Sequence, residues 1–498
     1  MRNGYQACIA TALFLLLMLC AGCASMAERG LLPDVKAHQL PAVNLGPAIM
    51  LLEEVKLDND LGLASLISND GHAHLFAIDK KNQIHHIELS GNVVLIHEVL
   101  GITKEPASEL LQALDVIEHP PGKLRVVAGD KMFIRSENNQ WQEIKGNQCQ
   151  RFLSVGNDLL CTFRVKGKDV GTPRRRDWVG GLFVLFPIVY WKNVEAEKLV
   201  LAKETMGGWK IVAVLDPESK LDTIDYVAGI DQHDFLHFLY RASGGSHAFI
   251  FGAGYNTVVM EDTGPQPMEI RYARFQYNHL LSDTADADND ESAPGKSQMT
   301  WFSIQGQPMA PMPFLKGGLF EADRIKNFPH LIGPLKKFFA VNRISGDLDG
   351  LLTDTAPRNF DFLLDDGTRK IGRSDGPVVQ VKIREGQWVP QFDIVTARDL
   401  PDSGWMWSHN QALIANDSKG IGHVLIERFK IGFWRNTYEI CYIVNGGTDW
   451  SAPIILENDA NGYEDNYSLA LDNTGKVFAS WTKGKRVVGR WIIPRDTN

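Results

Sequence analysis

The residue types best suited to chemistry gather in two short stretches toward the C-terminal end. Trp405, Trp407, His409 and Asn410 lead into one apolar segment, and Tyr463, Glu464, Asp465, Asn466 and Tyr467 lead into another. Flat aromatic faces beside hydrogen-bonding neighbours suit sugars, whose C–H faces stack while their hydroxyls need donors and acceptors. The expected ligand contacts are therefore Trp405, Trp407, His409, Asn410, Glu464, Asp465 and Asn466. The same stretches admit a catalytic alternative, with His409 as base, Tyr463 or Tyr467 as acid, and a further group to neutralise a uronate. A plainer alternative has the tryptophans packing between structural units while the polar residues face water.

These residues are held by a unit that repeats. Residues 405–427 read as two strands around a turn built from Asn416, Asp417, Ser418, Lys419, Gly420 and Gly422, residue types that favour bends. Residues 63–78, 224–240 and 467–481 repeat the pattern, and alignment on the bend puts His74, His237, His423 and Phe478 at one position. Weaker copies at 114–128 and 151–165 place Arg125 and Cys161 there, and the interval from His237 to His423 leaves room for two more. After several units a turn precedes a tryptophan and a further strand, at Trp141, Trp209, Trp388 and Trp450. Four-stranded meanders at periods of about 40 to 60 residues predict an all-β fold, a β-propeller of seven blades with eight as the alternative. The last unit shows three strands ending at Ile493, so residues 48–55 are expected to supply its fourth. A shared repeat position scatters His74, His237 and His423 around a ring, which predicts a packing or cross-strand role for them. No metal ligand set and no cofactor are expected.

The first 24 residues carry Arg2 as their one charge, an apolar core over 9–19, and then Cys20-Ala21-Gly22-Cys23. That is the layout of an export signal, too short in its apolar part to span a bilayer comfortably. The four residues resemble a bacterial lipoprotein box, with Cys20 standing where leucine is usual. The resemblance implies a signal peptide over 1–22, lipidation of Cys23, a Pro-containing tether over 23–47 and a propeller domain over 48–498. Ala24, where the family's inner-membrane retention signal has aspartate, points to the outer membrane of a bacterial cell envelope. In an exported chain Cys149 and Cys161 are close enough to form a disulfide, the alternative being two buried thiols. Cys441 reads as a buried strand residue.

A net charge of -9 on the full sequence lacks the basic footprint that nucleic-acid binding needs. Three stretches break the repeat, grouped as insertions near 166–191 and 283–334. In the first, Lys166, Lys168, Arg174, Arg175 and Arg176 join a charge-free aromatic run over 178–191, which suits either a membrane surface or a buried strand pair turning at Gly180-Gly181. In the second, Asp286, Asp288 and Asp290 have calcium-loop spacing, but Glu291 and Ser297 stand where such a loop needs glycine and glutamate. A solvated acidic loop is expected instead. The third, 305–334, is a proline-rich excursion without a catalytic pattern.

Val444-Asn445-Gly446-Gly447-Thr448-Asp449-Trp450-Ser451-Ala452-Pro453 resembles the Asp-box turns of sialidase-related propellers. That resemblance implies fold more than function, because such turns occur in enzymes and non-enzymes alike. A sialidase would need an arginine trio, a Tyr/Glu pair and an early Arg-Ile-Pro. The first blade lacks that tripeptide, and Arg490-Trp491-Ile492-Ile493-Pro494 does not replace it. Ser408-His409-Asn410 followed by the Asp-x-x-Gly-x-x-His turn of 417–423 resembles some sialidase-like propeller lyases. Phosphate-loop, HExxH, CxxC and Gly-x-Ser-x-Gly signatures are missing. The reading is a lipid-anchored envelope propeller that binds a glycan or an envelope protein, leaning away from an enzyme. A polysaccharide lyase or glycoside hydrolase working at the central mouth is the alternative.

Overall fold

Each strand–turn–strand unit of the sequence forms the inner half of a four-stranded antiparallel blade. The computed structural model describes residues 43–494 apart from 54–61, 80, 104–113, 137, 145–148, 171–174, 184–185, 195, 207, 216–221, 244–246, 252–257, 263–268, 278–299, 304–334, 354–357, 364–368, 375–377, 385–386, 396–404, 433–435, 446–449 and 461–465. The expected acidic loop at 283–291 and the excursion at 305–334 lie outside the described residues.

Seven blades follow in chain order, each listed from its inner strand outward. Blade 1 is Leu63–Ile67, Ala73–Ile78, Gln83–Ser90 and Val93–Ile102, and blade 2 is Leu114–Glu118, Leu124–Ala128, Lys131–Arg135 and Trp141–Ile144. Blade 3 is Arg151–Val155, Asp158–Lys166, Glu197–Thr205 and Gly208–Val214, and blade 4 is Asp222–Ile230, Phe235–Ser243, Glu269–Gln276 and Thr300–Ser303. Blade 5 is Phe339–Val341, Leu348–Thr353, Val378–Arg384 and Gln387–Val395, and blade 6 is Trp405–Asn416, Gly422–Lys430, Thr437–Val444 and Ile454–Ala460. Blade 7 is Tyr467–Leu471, Val477–Lys483 and Arg486–Pro494, completed by Val43–Leu45 and Ile49–Leu52 on its outer edge. The expected closing strand is thus present. Pairing begins at Val43, inside the stretch read as tether. Each inner strand touches the next, and blade 7 returns to blade 1, so the ring closes.

The core is a series of apolar layers between blades. One layer joins Leu51, Phe478 and Trp491 of blade 7 to Leu75 and Ile87 of blade 1, and another joins Phe76 of blade 1 to Val126 and Phe133 of blade 2. Because each blade is covered on both faces, its second strand is largely buried, and Ala73–Ile78 is buried at every residue. Cys149 and Cys161 are joined by a disulfide within blade 3, and Cys441 is buried, its thiol pushed up to about 12 by that burial.

The interval between His237 and His423 holds one blade, not two, together with insertions. The hairpin Arg175–Phe183/Phe186–Val194 from blade 3 and the hairpin His247–Phe251/Val258–Asp262 from blade 4 join in a separate sheet. Gly180 and Gly181 pair with Val189 and Ile188 inside a strand, so the bend falls after Phe183 and not at the two glycines. The side chains of that hairpin are outside the described residues.

The repeat position has a physical job. In blade 4, Asp231 Oδ1 accepts the His233 and Phe235 amides at 2.8 and 3.0 Å, closing the turn, while Oδ2 meets His237 Nε2 at 3.1 Å. His237 Nδ1 then meets Tyr272 Oη on the third strand at 2.8 Å. Blade 6 repeats this with Asp417, His423 and Tyr442, where His423 Nδ1 lies 2.6 Å from the Tyr442 hydroxyl and Nε2 lies 3.6 Å from Asp417. Blade 5 performs it with other residues: Asn342 donates to Asp349 at 3.1 Å, and Gln380 donates to the same carboxylate at 3.1 Å. Such a brace ties turn, second strand and third strand together, and its buried polar groups satisfy one another.

Asp231→Ala would strand two amides and a buried imidazole, and is expected to destabilise the fold by about 2–4 kcal/mol. Asp472→Ala, at the half-exposed equivalent in blade 7, where Phe478 replaces the histidine, should lose only about 1 kcal/mol. Urea unfolding of the two variants against wild type checks the contrast.

Candidate functional site

The predicted site residues divide between packing and undescribed positions. Trp405 is half-buried at the start of blade 6's inner strand, 5.4 Å from the Arg428 guanidinium, and Trp407 is 5.8 Å from the same group. Trp407 is buried in an apolar layer with Leu335 and Phe338. Asn466 and Tyr467 are buried, Tyr467 within the layer between blades 6 and 7. Trp407 and Tyr467 therefore serve as core, the plainer of the readings offered for these stretches. His409 and Asn410 lie on the blade 6 inner strand with side chains outside the described residues, and Tyr463, Glu464 and Asp465 lie outside them altogether.

A second constellation gathers at the same mouth, on blades 2 to 5, from residues that no sequence motif marks. Asp115 is the second residue of blade 2's inner strand, Arg151 the first of blade 3's, Asp225 the fourth of blade 4's, and Lys336 sits in a four-residue helix, Leu335–Phe338, just before blade 5. All four lie toward the leading ends of the inner strands. Asp115 feels the charges of Arg151 and Lys336, and Lys336 those of Arg151, Asp115 and Asp225. Blade 2 and the segment leading into blade 5 are three blades apart, so the charges of Asp115 and Lys336 act on one another across the ring and not between neighbouring blades. The short helix touches the inner strands of blades 4, 5 and 6 and lies over this opening.

The local chemistry is unusual for a structural core. Asp115 Oδ2 accepts the Phe152 amide at 2.8 Å, and Asp225 Oδ2 accepts the Leu335 amide at 2.6 Å, which fixes the helix to blade 4. Arg241 stands 3.9 Å from Asp225, and the Arg151 guanidinium lies 5.7 Å from the Tyr226 ring centre. Asp225 Oδ1, buried, has no hydrogen-bond partner among the described residues. Burial pushes both aspartates up from the usual carboxylate range, against the pull of Arg151 on Asp115 and of Arg241 on Asp225. Burial, reinforced by Arg151, pushes the Lys336 ammonium down to about 7. Two carboxylates and a lysine displaced from their ordinary protonation ranges, gathered with Arg151 at a mouth, have the composition of a polar ligand or acid–base site.

Elsewhere, among the described residues, one set of potential metal ligands converges: His74, His86 and Glu88 on the second and third strands of blade 1.

No family model matches the chain, and no characterised protein matches it in sequence. Solved structures resemble it in fold. A PL25 ulvan lyase bound to a GlcA–sulfated rhamnose unit is 8% identical with a TM-score of 0.44, over 90% of this chain and 96% of that one. A GH93 α-L-arabinofuranosidase of Fusarium graminearum with arabinobiose is 9% identical with a TM-score of 0.33, over 90% and 98%. A six-bladed fucose-binding lectin of Aleuria aurantia is 9% identical with a TM-score of 0.32, over 88% and 93%. No residue role is carried from these to the present chain.

Lys336 generates a pH test. Its folded pKa lies near 7 against an ordinary 10.5, so between about pH 7 and pH 10 the unfolded chain binds the extra proton and stability contributed by this group rises with pH. Below about pH 7 the buried ammonium opposes folding in full. Lys336→Met is therefore expected to stabilise the protein at about pH 6 and to lose that advantage progressively toward about pH 9–10, as read by urea unfolding.

Proposed function

We propose that this protein is a saccharide-binding β-propeller of the bacterial envelope, held to the membrane by a lipid on Cys23, and that the ligand sits at the channel mouth among Asp115, Arg151, Asp225 and Lys336. The observation that carries this reading is the mutual action of those four charges across the ring, with Asp225 Oδ1 left unpartnered. Sugar hydroxyls both donate and accept, so carboxylates and cations side by side can satisfy one ring; a sugar acid would add a carboxylate for Arg151 and Lys336. Trp405, half-buried against Arg428 at the start of blade 6's inner strand, offers an aromatic face. Anchoring through Cys23 rests on the lipobox and on the position of Val43, where the tether meets the outer edge of blade 7.

A second reading, a polysaccharide-active enzyme, is favoured by one observation: burial raises the pKa of Asp115 and Asp225 and lowers that of Lys336, which suits proton transfer near neutral pH. A protein partner in place of a glycan would leave the site silent toward every saccharide.

Calorimetric titration with uronate-containing and neutral oligosaccharides tests the first reading. Arg151→Ala is expected to weaken acidic oligosaccharide binding by about 10- to 100-fold, the loss of a charge-assisted hydrogen bond. Binding should also weaken as pH rises through about 7, because Lys336 then loses its positive charge. Release of reducing ends or unsaturated sugars would move the assignment to the enzyme. Absence of binding across an acidic and neutral panel would refute both saccharide readings.

The anchor is tested separately. In cells, Cys23→Ser should abolish incorporation of a labelled fatty acid and shift the protein from the membrane to the soluble fraction. An unchanged distribution would count against lipidation.

A further inference from the structure

Blade 1 departs from the brace of the other blades in a consistent direction. Where blades 4 and 6 have Asp, His and Tyr, blade 1 has Ser68, His74 and His86. The carboxylate that meets the far imidazole nitrogen is replaced by a hydroxyl, and the tyrosine hydroxyl is replaced by a second imidazole. The residue directly across from the shared histidine also changes. It is Glu88 in blade 1, against Arg274 in blade 4 and Val444 in blade 6.

The three side chains form a buried set. His74 Nδ1 and His86 Nε2 are 3.1 Å apart, and one donor atom from each of His74, His86 and Glu88 lies within 4.8 Å of the others. Their exposures are 1%, 0% and 6%. Burial drives both imidazoles down, His74 with His86 adding to it.

Each of the three is also held from behind. His74 Nε2 meets Ser68 Oγ at 3.0 Å, His86 Nδ1 meets Glu98 Oε1 at 2.9 Å, and Glu88 Oε2 accepts from Arg135 at 2.6 Å. Glu98 is fixed in turn by the Trp141 indole at 2.9 Å. The Glu98 carboxylate sets the tautomer: His86 donates from Nδ1, which frees Nε2 to face His74. An imidazole whose second nitrogen donates to a carboxylate is the standard support of a metal-bound histidine. On the more exposed side, His72 Nδ1 lies 2.8 Å from Glu88 Oε1 and holds that carboxylate from outside the converging set. Two carboxylates, Glu88 and Glu98, face the set against one guanidinium, Arg135.

We propose that His74, His86 and Glu88, with His72 holding Glu88 from the solvent side, bind a divalent transition-metal ion that pins the second and third strands of blade 1. Two imidazoles and a carboxylate favour Zn2+ among the common ions. Binding at His74 Nδ1 would move the proton held between the two rings to His74 Nε2, where Ser68 Oγ can accept it, leaving both facing nitrogens free for the metal. The ligands are buried, which suits a structural ion and not a hydrolytic one. The inference depends on blade 1 alone and is independent of the channel.

The test uses the full chain without a polyhistidine tag, stripped with a chelator and titrated with Zn2+, with metal content measured after gel filtration and Co2+ used as a spectroscopic reporter. One equivalent of Zn2+ per chain is expected, with the visible absorption of a four- or five-coordinate Co2+ complex. His86→Tyr places at this position the tyrosine that blades 4 and 6 carry, so it should fold and lose binding by at least about 100-fold, while Glu98→Gln should weaken it by about 10- to 100-fold. If His86→Tyr does not fold, Glu88→Gln reads the same loss. Failure of the wild type to retain Zn2+, or retention unchanged in a folded ligand variant, would overturn the assignment.

Discussion

Everything in this propeller depends on closure of its ring at blade 7. Arg486–Pro494 would be an open edge, and the apolar layer it shares with blade 1 would face water, without Val43–Leu45 and Ile49–Leu52 laid along it. The seam is reinforced by polar contacts that join the two ends of the chain. Ser65 and Ser468 share a hydrogen bond at 2.5 Å between neighbouring inner strands, the Trp491 indole donates to Gly91 O at 2.6 Å, and Arg490 donates to Gly46 O at 2.6 Å. Gly489 makes the seam possible in a different way, since a Cβ there would lie 2.5 Å from Phe478 and 2.8 Å from Leu51. Mixing strands from the two ends of the chain in one blade makes closure a long-range event, formed late and at a high entropic cost that the buried layer must offset.

How much of this could be read from sequence follows from how the brace is built. Blades 1, 4 and 6 carry a histidine at the repeat position, and the turns of blades 1 and 6 use Gly71 and Gly420 at positive φ where blade 4 uses Asp234, so spacing and residue type largely coincide. Blade 5 performs the same task with Asn342, Asp349 and Gln380, and its sequence therefore offers no histidine to align. In blades 2 and 3 the position is reassigned: Arg125 donates to His119 O at 3.0 Å and pairs with Glu204, while Cys161 enters the disulfide. The hydrogen-bond geometry is what repeats. Residue identity repeats only where the same donor and acceptor happen to supply it.

The candidate site was less legible for a related reason. Sequence patterns point to the end of the ring where the inner strands start, but they favour the stretch richest in aromatics. Trp407 and Tyr467 are instead spent on the layers between blades, where large flat side chains fill wedge-shaped gaps. Asp115, Arg151, Asp225 and Lys336 are ordinary residue types separated by as many as 221 positions, and only the ring brings them together. Asp225 is buried and the other three are half-buried, and no local motif encodes that.

Lys336 shows how an irregular segment can matter to a regular frame. It arrives at the mouth at the end of the long stretch between blades 4 and 5, in a helix too short to stand alone. The helix is held by the Leu335 amide on Asp225 and by Leu335 and Phe338 packed with Trp407. Asp225, a carboxylate of the proposed site, is thus also the anchor of the element that delivers the lysine. Its Oδ2 accepts the helix amide, whereas Oδ1 is left for the channel. A ligand that engages Oδ1 therefore acts on the same carboxylate that holds the helix, and through it on the position of Lys336. The insertion and the repeat are in this way parts of one site: the blades supply the fixed charges, and the segment between two of them supplies the one whose protonation lies within reach of neutral pH.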